Sequence, residues 1–169
     1  MTIDQAALGR AVRAVAAAAH ADDPAALYRA VMPPAGTDTP PAEAATWFGT
    51  LLIHLALTAA ATSKLEPGCP REAVTEWIGQ ELGPPPSPAL LRAADPDRID
   101  HVEAVSAAAD HSRYHEYTVD LVRVGLTDPD QAPDERGVDA HCAVTNDKDA
   151  RITVMAMLGR LIPVPGDRG

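Results

Sequence analysis

Two histidines four residues apart, His111 and His115, are the residue pair in this sequence best suited to bind a ligand or take part in a reaction. On a helix this spacing places both imidazoles on one face about a turn apart, where a metal ion or a shared ligand can bridge them. The same face carries Val119, Val122 and Leu126, so we expect both imidazoles to be partly buried.

A metal site at this pair needs further ligands. The sequence offers four of them: His54, His101, Asp139 and His141. The hypothesis is a site for Zn²⁺, Ni²⁺ or Fe²⁺ built on His101, His111 and His115. The competing interpretation is that the pair only hydrogen-bonds to its neighbours, because this spacing is common without a metal. We therefore predict no cofactor, with a divalent transition metal as the alternative.

Catalytic candidates, if the protein is an enzyme, are His54, His111 and His115. His54 is a lone imidazole in the most apolar segment, and it joins the other two only if it faces them across a helical bundle. His141 and Cys142 are adjacent and therefore point in different directions, which does not make a nucleophile and its base. The candidates for lining a ligand pocket are Trp47, His54, His111, Tyr114 and His115.

Proline placement predicts the helices that would hold these side chains. Proline is tolerated in the first turn of a helix, and an Asp, Ser or Thr before it can cap the free amides. Six such steps punctuate Ala- and Leu-rich segments: Asp23-Pro24, Thr39-Pro40-Pro41, Cys69-Pro70, Ser87-Pro88, Asp95-Pro96 and Asp128-Pro129. The chain is expected to form a series of separately started helices, with Thr39 capping the third.

The segment 44–62 has no formal charge and no polar face, which predicts a central helix surrounded by others. In the segment 96–109 we expect Ile99, Val102 and Val105 to face inward. From residue 114 the composition turns β-branched and aromatic, yet Glu116, Asp120 and Arg123 would form one polar stripe on a helix, which favours continued helix.

The predicted fold is an all-α, single-domain bundle of about six to seven helices around a central apolar helix, spanning 1–162, with a C-terminal tail at 163–169. The alternative is an α+β fold in which 114–124, 138–145 and 151–157 form a short antiparallel meander. Both remain open at this point because β-branched residues in those segments also suit strands.

Composition limits the function classes. The net charge is −10, with two lysines against twelve arginines and no basic run, so binding to nucleic acid or to an anionic membrane surface is not expected. There is no basic, apolar signal-like start, and the two cysteines form no CxxC motif, which favours a cytoplasmic protein. The Ala, Arg, Pro and Asp bias is typical of a GC-rich bacterial genome.

Two functions follow from these patterns. The first is a non-enzymatic helical-bundle module that binds a protein partner or a small apolar molecule, and that could form a homodimer. The second is a small-molecule enzyme with a histidine-centred site. A ligand-sensing domain is a third class, but no basic helix-turn-helix accompanies it. Phosphate-binding glycine loops, a GxSxG elbow and HExxH are absent from the sequence.

Overall fold

The computed structural model describes residues 2–166, and the regular secondary structure within them is entirely helical. The α-helices are α1 Gln5–His20, α2 Pro24–Val31, α3 Pro41–Thr62, α4 Arg71–Leu82, α5 Pro88–Ala94, α6 His101–Gly125, α7 Glu135–Asn146 and α8 Lys148–Leu161, with a 3₁₀ turn at Gly36–Asp38.

This architecture confirms the all-α prediction. The meander alternative is wrong, since 114–124 lies in α6, 138–145 in α7 and 151–157 in α8. The described residues contain eight α-helices rather than six to seven, because 138–145, a strand in the meander alternative, lies in the additional helix α7. Of the tail predicted at 163–169, residues 167–169 lie outside the described residues, as does Met1.

Local side-chain chemistry starts most of the helices. Asp23 and Ser87 accept a backbone hydrogen bond from the first turn of α2 and α5, and proline follows each of them. Pro41 also stands at the start of α3, but the N-cap there is Pro40, so the expected cap by Thr39 is wrong.

Two of the proline steps do not start helices. Pro96 and Pro129 lie in turns, and the helices after them begin later, where Asp100 and Asp134 supply the caps. Asp100 and Glu103 form a reciprocal capping box at the start of α6. Helices α6 and α7 therefore begin where an aspartate side chain caps the first turn, and not at the nearest proline.

One hydrophobic core joins every helix except α5. Leu51, Leu52 and Leu55 of α3 are fully buried at its centre. However, α3 is not surrounded on all sides, because Thr46, Leu57 and Ala61 are exposed. α3 is long and apolar enough to cross a membrane, but half of its most apolar window is buried in the protein, as in the core helix of a soluble protein.

Two expectations for the faces of α6 are wrong. Val102 and Val105 are 74% and 46% exposed, because this part of α6 buries the face that carries Ala104 and Ala108 instead. The predicted polar stripe is broken at Asp120, which is only 8% exposed. Its Oδ1 accepts a hydrogen bond of 3.1 Å from Nε of Arg71, so the carboxylate is a buried tie between α4 and α6.

Glycines allow the closest helix approaches. A Cβ on Gly125 of α6 would lie 2.7 Å from the carbonyl oxygen of Ala56 in α3. A Cβ on Gly159 of α8 would lie 3.0 Å from the carbonyl oxygen of Val15 in α1. Near the same helix ends, Nε2 of His20 is 2.7 Å from the carbonyl oxygen of Ile162, so α1 and α8 run side by side in the same direction.

Candidate ligand-binding site

His111 and His115 line one wall of a cavity of about 390 Å³ that is bounded by α1, α2, α4, α6 and α8. We call it the histidine cavity. Its apolar lining comes from α1, α2, α4 and α8 and includes Ala18, Leu27, Leu82, Ala156 and Met157. The polar side chains around it are Asp22, Asp23, His111, His115, Thr153 and Arg160.

The two imidazoles are partly buried, as the sequence predicted. Burial lowers the pKa of His115 below its ordinary value, and the neighbouring His111 lowers it further. His115 is therefore a neutral imidazole at pH 7, with one nitrogen that donates and one that accepts. The ring of His111 packs edge-on against that of Tyr114, with their centroids 6.4 Å apart.

The corner between α1 and α2 forms a second wall of the cavity. Asp22 has a φ of 51°, in the left-handed region, where Asp and Asn are tolerated better than most side chains. The N–H of Asp22 donates to the carbonyl of Ala19, and the N–H of Asp23 donates to that of Ala18. These two bonds close α1 with a Schellman motif.

The carboxylates at this corner differ in their roles. Oδ1 of Asp23 accepts the N–H of Ala26 at 3.0 Å and so caps α2. The side chain of Asp22 has no hydrogen-bond or ion-pair partner within residues 2–166. Asp22 thus brings a free carboxylate to the rim of the histidine cavity.

The wall from α8 consists of residues at helical spacing. Thr153, Ala156, Met157 and Arg160 follow one another by three, one and three positions and so share a face of α8. The hydroxyl of Thr118 in α6 donates to the carbonyl of Tyr114 at 2.8 Å and lies 3.4 Å from Sδ of Met157. This contact fixes α8 against α6 beside the two histidines.

The structure does not bring the other proposed metal ligands to this pair. His101 is the first residue of α6 and is exposed, ten residues or about 15 Å of helix before His111. His54 does not line the histidine cavity. Within residues 2–166 no group of three or more His, Cys, Asp or Glu side chains is arranged to hold a metal ion. The metal hypothesis stays a prediction.

The aromatic pocket candidates are placed apart. Tyr114 is buried beneath His111 and supports it rather than lining the cavity. Trp47 lines a separate cavity of about 230 Å³ with Ile3, Pro33, Thr39 and Glu43. Its indole N–H donates to the carbonyl oxygen of Val31 at 3.0 Å, which fixes the ring in the core.

A second polar cluster lies where α3 meets α7 and α8. The guanidinium of Arg151 stacks 3.9 Å from the ring centroid of Phe48 and donates to the carbonyl of Thr145 at 2.7 Å. Nε2 of His141 is 3.2 Å from the carbonyl oxygen of Gly49. Burial lowers the pKa of Arg151 below its ordinary value. His141 therefore has a structural contact here and is not paired with Cys142, which is exposed.

Sequence reasoning identified the histidines but not the side chains opposite them. Asp22, Thr153, Met157 and Arg160 were not among the candidates. The spacing of the last three predicts that they share a helix face, but a helix alone does not show which of its faces meets α6. Asp22 could have been singled out as a residue between two helix ends, where the turn demands an unusual backbone.

Comparison of the chain with protein-family models, with curated proteins and with solved structures gave no match.

Proposed function

We propose that this protein is a non-enzymatic, cytoplasmic binding module that holds a small molecule with a largely apolar body in the histidine cavity. The observation that carries the proposal is the cavity of about 390 Å³, with apolar walls from four helices and two histidines from a fifth. Ligand sites generally have volumes of about 300–1,000 Å³, mostly apolar linings and a few convergent polar groups. The histidine cavity has these three properties.

A small molecule fits this geometry better than a protein partner. Protein interfaces are extended surfaces, whereas the histidine cavity is a concave space lined by residues of several helices and open on one side. The net charge of −10 also disfavours anionic macromolecules at the rim. Binding of a protein partner, rather than of a small molecule, is the second version of this proposal.

One observation favours the enzymatic alternative. A neutral, partly buried imidazole in a cavity, with a lowered pKa, has the properties of a general base. His115 would hold that role, and His111 would orient the substrate beside it. Stoichiometric metal in protein purified without a histidine tag would favour a metal-dependent version of this reaction.

Filling the cavity tests the binding proposal. Ala156 lines the cavity, and Ala156→Phe places an aromatic ring inside it. We expect compounds that raise the melting temperature of the wild type to lose this effect in the variant. A bound ligand at 100 times its Kd stabilises the folded state by about 2.7 kcal/mol, which a thermal-shift screen of small amphipathic compounds resolves readily.

Ala109→Phe is the matched control, since Ala109 is an exposed residue of α6. This variant should keep the response of the wild type to every active compound. Compounds that stabilise the Ala156→Phe variant as strongly as the wild type would bind elsewhere and contradict the proposal. So would a screen, extended to molecules extracted from the source cell, in which nothing stabilises the wild type.

A further inference from the structure

Three helices end at the histidine cavity. Ala18 and Ala19 lie in the last turn of α1. Leu82 is the last residue of α4, and Arg160 lies in the last turn of α8. The C-terminal end of a helix carries about half a negative charge and favours cations within its last turn. Pro24 brings the positive N-terminal end of α2 to the same cavity, so three negative helix ends stand against one positive end before any side-chain charge is added.

The side-chain charges do not cancel this potential. Asp23 faces the positive N-terminal end of α2, which it caps, and Arg160 faces the negative end of α8. The helix end next to each of these two side chains therefore reduces the effect of its charge on the cavity. The carboxylate of Asp22 and the ends of α1 and α4 remain, so the rim at the corner between α1 and α2 has an excess of negative charge.

The groups deeper in the cavity are compatible with a cation. His115, which burial keeps neutral at pH 7, offers an acceptor nitrogen that can take an N–H from an ammonium group. Leu27, Leu82 and Met157 provide an apolar surface next to these polar groups. A ligand with a positive charge at one end and a short apolar body matches both parts of the lining.

On this basis, and resting on the proposed function, we propose that the ligand is a small organic amine in its cationic form. Its ammonium group would be held by Asp22 and by the C-terminal ends of α1 and α4. Its apolar body would pack against Leu27, Leu82 and Met157. The negative net charge of the whole chain would raise the concentration of such a cation near the surface.

Three probes of equal chain length test the proposal: hexylammonium, 1-hexanol and hexanoate, titrated calorimetrically into the wild-type protein at pH 7.5 and low salt. We expect hexylammonium to bind about tenfold more tightly than hexanol, as a charge-assisted hydrogen bond would give, and hexanoate to bind most weakly. In Asp22→Asn, hexylammonium should bind about as weakly as hexanol, with the affinity for hexanol unchanged.

Asn tolerates the left-handed backbone of Asp22, so the variant removes the charge and keeps the turn. Asp22→Gly is a second variant with the same property. Asp38→Asn is the control, because Asp38 is an exposed carboxylate of the 3₁₀ turn and does not line the cavity, and this variant should keep the preference for hexylammonium.

The outcomes separate this inference from the proposed function. Equal binding of hexylammonium and hexanol by the wild type, or an unchanged preference in both Asp22 variants, would overturn the inference and leave a binding cavity for neutral molecules. If none of the three probes binds, the inference fails, and the proposed function is then decided by the screen with Ala156→Phe. Tightest binding of hexanoate would reverse the assigned charge of the ligand.

Discussion

The partly buried pair His111 and His115 links the chemistry of the cavity to the stability of the fold. Burial disfavours the charged form of an imidazole, and a second imidazole nearby disfavours it again. The pKa of His115 is lowered for both reasons. Folding therefore excludes a proton that the unfolded chain accepts at mildly acidic pH.

This linkage predicts how stability depends on pH. With the folded pKa of His115 below the unfolded value of about 6.5, its contribution is fully present above that value and is lost as the pH falls through the folded pKa. We expect urea unfolding between pH 7.5 and pH 5 to show a larger loss of stability for the wild type than for His115→Gln.

The other groups facing this imidazole in the cavity are His111, Asp22, Asp23 and Arg160. His101→Gln serves as the control, since His101 is exposed, and it should follow the wild type. An equal loss of stability in His115→Gln and the wild type would show that His115 is not desolvated.

Helices α3 and α6 approach each other at the backbone, and small residues make this approach feasible. A methyl group on Gly125 would meet the Ala56 carbonyl oxygen at 2.7 Å and the Ala60 Cβ at 2.9 Å. Backbone cannot move aside as a flexible side chain can, so the two helices would have to separate. The same helix pair carries the central core residue Leu52 and the wall with the histidines, so their separation would disturb both.

Gly125→Ala should therefore lower the free energy of unfolding by about 1–3 kcal/mol, as overpacking in a core does. The matched substitution is Gly79→Ala in the interior of α4, where an added Cβ meets nothing within 4 Å. That change should raise the free energy of unfolding by about 0.5–1 kcal/mol, through the higher helix propensity of alanine. Chemical denaturation of both variants decides the point, and a stabilising Gly125→Ala would contradict the close packing of α3 and α6.

At the scale of the whole molecule, the net charge of −10 acts against compactness. Like charges spread over a small surface repel one another in the folded state, and salt screens this repulsion. We expect the melting temperature at pH 7.5 to rise by about 2–4 °C between 10 and 150 mM NaCl, which corresponds to about 1 kcal/mol.

Near the pI of about 4.9 the net charge vanishes, and the same addition of salt should leave the melting temperature nearly unchanged. A fall in melting temperature with salt at pH 7.5 would mean that attractive ion pairs, such as Arg71 with Asp120, outweigh the repulsion.

Features of this fold that depend on adjacent residues could be predicted from the sequence, whereas most features that depend on packing between distant helices could not. The starts at Asp23-Pro24 and Ser87-Pro88 depend on a few adjacent residues, so they could be predicted. The inward faces of Val102 and Val105 depend on which helix covers α6, and that prediction failed.

The candidate site divides in the same way. His111 and His115 share a helix, so their common face followed from spacing alone. Asp22 and Arg160 join them from positions about 90 and 45 residues away in the chain, through packing that no local pattern specifies. The chemistry of one wall was therefore predictable, and the composition of the cavity was not.

The parallel contact of α1 with α8 has a consequence for the synthesis of the protein. Leu8, Val12 and Val15 are translated before the partner surface around Gly159, which follows more than 140 residues later. At about 5–20 residues per second this interval is roughly 7–30 s. The apolar stripe of α1 must stay soluble through that interval, which makes it a natural substrate for chaperones that protect emerging polypeptides.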